Sequence, residues 1–187
     1  LAGLEREILS VFPKDSIITP DDVRGSSATL PEALKARGWP LLSKSRGKVL
    51  FGMDNEGAER SLYLEGHPAL EGRLIFVSVP RGNPAAAWMK MNDPVRDFDA
   101  IQDLVRNGFL VRTRADEPTD HARSNDTGMR DRALSSGAQF VSTDYPVPDK
   151  TLSSYCVQFE GRVVARANPL IGPSNVDIRD MEKKRGA

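Results

Sequence analysis

Five short apolar runs, at 48–53, 73–79, 86–91 and about 109–114 and 138–143, constrain this chain more than any other feature. Each ends in polar or charged groups: Asp54-Asn55, Pro80-Arg81, Asn92-Asp93, the pair Arg112 and Arg114 with Asp116, and Asp144-Tyr145. A strand with one wet face alternates apolar and polar residues. Near-continuous runs suit strands of a parallel sheet covered on both faces. Runs separated by helices and loops, with polar groups bunched at their carboxyl ends, point to an α/β barrel or a doubly wound sheet.

The segments between the runs fit that reading. Met129, Ala133 and Leu134 mark one face of a short helix within 125–136, which Gly137 stops, so the last two runs form a strand–helix–strand crossover. Asp97 precedes a helix with Phe98, Ile101, Leu104 and Val105 inward and Gly108 beyond its end. Near the start, Leu4, Ile8, Leu9, Val11 and Phe12 recur at helical spacing until Pro13. Thr29 and Glu32 have capping-box spacing at the head of a helix ending at Gly38, and 14–28 reads as a loop. Runs at 155–159 and 162–166 flank Glu160-Gly161 as a hairpin, and a solvated tail begins near Asn175. The expectation is a single domain over 1–187.

Bulk chemistry excludes more than it selects. Lys+Arg and Asp+Glu balance at 26 each, so no whole-chain field favours nucleic acid. Cys156 stands alone, which rules out an intrachain disulfide and a cysteine-rich metal site. No apolar run approaches the roughly 18 residues of a membrane span. The chain opens inside an amphipathic helix, without Met or a signal peptide, and is expected to be the later part of a longer protein.

No dinucleotide or phosphate-loop glycine motif occurs, nor a Gly-x-Ser-x-Gly elbow. His67 precedes its run and is expected on the face away from a barrel site; His121 follows the run ending at Arg114, in a polar loop. Arg112 and Arg114 alternate with Thr113 and point to one side of their strand. Two forked guanidiniums suit a phosphate or polyol; equally they could pair with Asp93, Asp116 or Asp144. Asp144 and Tyr145 suit a sugar-like ring, or simply a turn and a closing aromatic. Lys90, Asn92, Asp93 and Asp54 end other runs and are expected at the same mouth.

One stretch carries a family likeness. Asn-Asp-Thr-Gly-Met-Arg-Asp-Arg-Ala-Leu-Ser-Ser-Gly-Ala-Gln-Phe-Val-Ser-Thr-Asp-Tyr-Pro, from Asn125 to Pro146, resembles the close of the barrel in phospholipase C-like phosphodiesterases. With Phe-Leu-Val-Arg-Thr-Arg-Ala-Asp, Ile-Thr-Pro-Asp-Asp-Val-Arg-Gly and Arg-Gly-Lys-Val-Leu-Phe in order, the chain from about Leu4 to Pro169 resembles the bacterial calcium-dependent phosphoinositide phospholipases C. The resemblance implies a (β/α) TIM-type barrel, here from about strand four to strand eight, plus the carboxyl-terminal hairpin. It implies cleavage of phosphatidylinositol-type lipids, with one histidine taking the inositol 2-hydroxyl proton, another protonating the leaving diacylglycerol oxygen, and Ca2+ neutralising phosphoryl charge.

Neither His67 nor His121 lies in the family's histidine motifs, so no catalytic residue and no metal ligand is carried over; Ca2+ is expected for the parent protein, with ligands mostly outside this chain. Arg114 and Tyr145 look like inositol-contacting positions, with Arg112, Asp144, Lys90 and Asn92 beside them. The implied partners are an inositol phosphate headgroup and, transiently, a membrane surface. Export is expected, with the signal outside this chain, and the isolated chain is expected to be inactive. The alternatives are a glycerophosphodiester phosphodiesterase and a non-catalytic polyol- or anion-binding module.

Overall fold

Each apolar run becomes a strand, but only three to five residues of each are laddered. The computed structural model describes residues 2–117, 119–163 and 165–173; the expected tail from Asn175 lies outside them. The chain divides into two compact units, one of residues 1–90 with 107–109, the other of 91–106 with 110–187.

The first unit opens with α1 (Ala2–Val11), from which Ile8 is buried. The expected loop at 14–28 needs correction. Ile17, only 1% exposed, makes a parallel bridge to Val49, and α2 (Pro20–Arg24) follows directly. A full capping box opens α2: Thr19 Oγ1 accepts from Asp22 N at 3.3 Å, and Asp22 Oδ2 accepts from Thr19 N at 2.8 Å. Asp in the place usually held by Glu or Gln hides that signal. Thr29 caps α3 (Leu30–Arg37) as expected, accepting from Glu32 N at 3.3 Å, with Gly38 at φ 70 after its end.

After the single turn α4 (Leu42–Ser45) comes β1 (Phe51–Met53), then α5 (Ala58–Leu64), β2 (Ile75–Val77) and β3 (Trp88–Lys90). Helix α5 gave no periodic signal, because only Tyr63 is buried from it while Leu62 stays 57% exposed. Strands β1 and β2 pair in parallel, Phe51 opposite Ile75 and Met53 opposite Val77. Gly52 packs closely there: a Cβ would lie 3.0 Å from the Trp88 ring, which would have to shift to admit it. Ile17, Leu30, Tyr63, Leu70, Phe76 and Val77 form the fully buried heart of this unit.

The second unit holds α6 (Phe98–Arg106), β4 (Leu110–Arg114), α7 (Asp120–Ser124), α8 (Gly128–Ser135) and β5 (Phe140–Ser142). Helix α6 buries Ile101, Leu104 and Val105, the face its spacing predicts. Strands β4 and β5 pair in parallel with α8 in the crossover, Arg112 opposite Phe140 and Arg114 opposite Ser142. On β4 the buried side is Val111 and Thr113, which leaves Arg112 and Arg114 together on the other.

The expected hairpin is not formed: no strand occurs among the described residues of 155–166, and a 3-10 turn spans Glu160–Arg162. Tyr155 anchors this segment by side-chain burial, and Val157 N donates to Tyr145 O at 2.9 Å in place of a hairpin ladder. Among the described residues the strands close no barrel, and the class is mixed α/β with parallel pairing.

Thr113 is fully buried, and its Oγ1 has no hydrogen-bond partner among the described residues. Thr113→Val keeps the shape and removes an unpaired hydroxyl. It should raise the unfolding free energy by up to about 1 kcal/mol, measured by urea denaturation; a loss of that size would mean the hydroxyl is satisfied.

Candidate functional site

The carboxyl ends of β4 and β5 bring the polar residues of the second unit together. Met91 N donates to Arg112 O at 2.9 Å, which sets the next residue, Asn92, beside the Arg112 side chain. Arg112 Nη1 then donates to Asn92 Oδ1 at 2.6 Å. Two residues on, Arg114 Nη1 donates to Glu117 Oε1 at 2.9 Å, with both side chains part-exposed. Neither arginine takes the expected carboxylates Asp93, Asp116 or Asp144 in these contacts. Asn92, Asp93, Arg96, Glu117 and Met129 line a cavity of about 360 Å3. Its lining therefore includes the partners of both guanidiniums.

Asp116 ties the two strand ends together. It is 3% exposed, accepts from Thr143 Oγ1 at 2.5 Å and from Asp144 N at 3.2 Å. Thr143 Oγ1 in turn accepts from Tyr145 N at 2.9 Å. The Asp144 residue is exposed, whereas the Tyr145 ring, 9% exposed, packs edge-on against Tyr155 at 5.7 Å in a cluster with Ala122. Tyr155 OH donates to Ala115 O at 2.9 Å, and burial, then the Asp116 charge, push its pKa up to about 12. Asp116 stood out in sequence only as a charge at a strand end. Glu117 and Thr143 carried no sequence signal, because their roles arise from the β4–β5 register.

Lys90 belongs to the first unit. Its Nζ donates to Asp54 O at 2.6 Å and lies 3.2 Å from Glu56 Oε1, so the ends of β1 and β3 share an ion-pair cluster. Both histidines are held by nearby backbone: His67 Nδ1 lies 2.6 Å from Glu71 O, and His121 Nδ1 accepts from Glu117 N at 3.1 Å. Among the described residues no group of three or more His, Cys, Asp or Glu side chains could hold a metal ion. No described helix is long and apolar enough to cross a membrane.

Comparison with known proteins gives a family and a fold. The family model for Ca2+-dependent phosphoinositide phospholipase C matches residues 1–169. The solved structure of a Ca2+-dependent phosphatidylinositol-specific phospholipase C from Streptomyces antibioticus superposes with a TM-score of 0.52 at 18% identity, over 76% of this chain. At that identity the likeness shows the fold. The chain spans 57% of the length of that structure. No curated protein sequence gives a significant match.

Proposed function

This chain belongs to the Ca2+-dependent phosphoinositide phospholipase C family, and on that premise we propose that it forms the headgroup-gripping wall of a phosphatidylinositol-cleaving enzyme. In this reading its strands are those from about the fourth to the eighth of a TIM-type barrel. Arg112, Arg114 and Asn92 grip the inositol phosphate, with the exposed Asp144 at the neighbouring strand end; Tyr145, its ring packed on Tyr155, supports that end from behind. The observation that carries it is the placement of two guanidiniums on one face of β4, each in one replaceable side-chain hydrogen bond among the described residues, beside a polar cavity. A phosphate oxygen can exchange with the Asn92 amide or the Glu117 carboxylate, and forked Arg donors suit it.

Such a wall binds and orients the phosphodiester, which lowers the barrier through positioning. Ca2+ would neutralise phosphoryl charge in the parent enzyme. The residues of this wall do not fit the ion: among the described residues no group of three or more His, Cys, Asp or Glu side chains could hold it. No step on this chain is routed through it. In this reading neither His67 nor His121 serves as general acid or base, since neither lies in the family's histidine motifs. The parent would meet a membrane surface transiently and be exported, which cell fractionation checks.

The chain should bind inositol 1-phosphate in a calorimetric titration, and Arg114→Ala should weaken that at least tenfold, the loss of one charge-assisted pair. The purified 187-residue chain should show no detectable Ca2+-dependent phosphodiesterase activity on phosphatidylinositol. Robust turnover would overturn the role given to this chain. Unchanged affinity in the Arg114 variant would overturn the site.

A further inference from the structure

The second unit has a groove that headgroup binding leaves unused. It holds about 340 Å3, at the lower end of small-molecule sites. Its walls are Leu134 from the end of α8, Val141 from β5, and Pro146, Val157 and Phe159 from the segment that follows. Val141 and its partner Thr113 lie on the opposite face of the β4–β5 pair from Arg112 and Arg114. The groove and the two arginines therefore lie on opposite faces of the β4–β5 pair, with Thr143, which also lines the groove, at the strand end between them.

The charge at this groove is positive. Arg162 lines it, and no carboxylate does. The Arg162 guanidinium has no hydrogen bond or ion pair among the described residues. Its backbone is in the left-handed region at φ 55, directly after Gly161 at φ 74, a conformation that side-chain-bearing residues seldom adopt. Such strain is kept where surrounding structure over-determines it, often at ligand clamps. A second cation lies on the same wall: Arg166 stacks 4.8 Å over the Phe159 ring and donates to Leu134 O.

We propose that this groove binds a long-chain carboxylate of the fatty-acid type, its tail along the apolar walls and its carboxylate paired with Arg162. An apolar slot matches the tail, and an unpaired guanidinium at its lining matches a planar anion through a forked pair. Arg162, exposed at the groove, offers a carboxylate a forked partner that an uncharged occupant would not use. The inference is independent of the headgroup reading, since it uses other residues on the other face of the sheet.

The test titrates the full 187-residue chain with laurate, decanoate and octanoate, and with dodecanol as the uncharged probe, at concentrations below aggregation. Each loss of two methylenes should weaken binding about tenfold, the increment for burying two CH2 groups. Arg162→Gln should weaken laurate about tenfold and leave dodecanol unchanged. Phe159→Ala should weaken both with the melting temperature retained. Equal affinity for octanoate and laurate overturns the proposal, as does laurate binding that ignores Arg162→Gln. So does the absence of laurate binding in a chain that still binds inositol 1-phosphate. If inositol 1-phosphate fails to bind while laurate binds with this chain-length series, the headgroup reading falls and the groove stands.

Discussion

Replacing Asp116 with alanine should lower the unfolding free energy of the second unit by about 3 kcal/mol and weaken inositol 1-phosphate binding at least tenfold. Asp116 is 3% exposed, and its carboxylate takes hydrogen bonds from the Thr143 hydroxyl and the Asp144 N–H. Alanine leaves both donors without that acceptor, at about 1–3 kcal/mol each where water cannot replace it. Removing a poorly solvated charge acts in the opposite direction, so the net loss falls below the sum.

Asp116→Asn separates position from charge. Its Oδ1 can keep the Asp144 N–H, and its amide can donate to Thr143 Oγ1 if the hydroxyl turns. That variant should lose only about 1 kcal/mol and retain most of the binding. Denaturation and calorimetry of the two variants check this; equal behaviour of Ala and Asn in both would remove Asp116 from its positioning role.

The second large effect is expected at Tyr63, in the first unit. Its ring is fully buried, its OH donates to Glu5 Oε1 at 2.6 Å, and it accepts from Ile75 N at 3.0 Å. Glu5 also accepts from Leu74 N at 3.0 Å, and Arg73 lies 4.7 Å over the Tyr63 ring. One side chain thus joins α1, α5 and the entry to β2. Tyr63→Ala should cost about 3–5 kcal/mol through the cavity it leaves. Tyr63→Phe should cost about 2 kcal/mol, because the buried Ile75 N–H loses its acceptor and Glu5 a donor.

A pH dependence follows from the same contacts. Burial, then the hydrogen bond to Glu5, raise the Tyr63 pKa above the ordinary tyrosine value of 10.0. The fold favours the neutral phenol, so this contribution is complete below pH 10 and is lost as pH rises from there through the folded value. Denaturation curves above pH 10 should therefore show a steeper loss in the native chain than in Tyr63→Phe. Parallel loss in both would show that Tyr63 carries no such linkage.

What was legible in the sequence was whatever is written locally. The apolar runs located the five strands among the described residues, and Thr29 and Gly38 bounded α3 because capping depends on neighbouring residues. Helix α5 was illegible because a single buried tyrosine makes no periodic stripe. The hairpin at 155–166 failed for the converse reason. Two runs flanking Glu160-Gly161 suggested a ladder, but Tyr155 found burial against Tyr145 and Ala122.

By itself the sequence determined the chemical inventory of the candidate site: two arginines on alternate residues at a strand end, an acid after each of the last two strands, and two histidines outside any matching motif. Tertiary structure decided the pairings. Arg112 meets Asn92 and Arg114 meets Glu117, while the aspartates at the strand ends do other things. Asp116 turns inward to hold β5, and Tyr145 turns its ring into a core. Side-chain direction at a strand end depends on register and on what packs behind it, and those are set by residues tens of positions away.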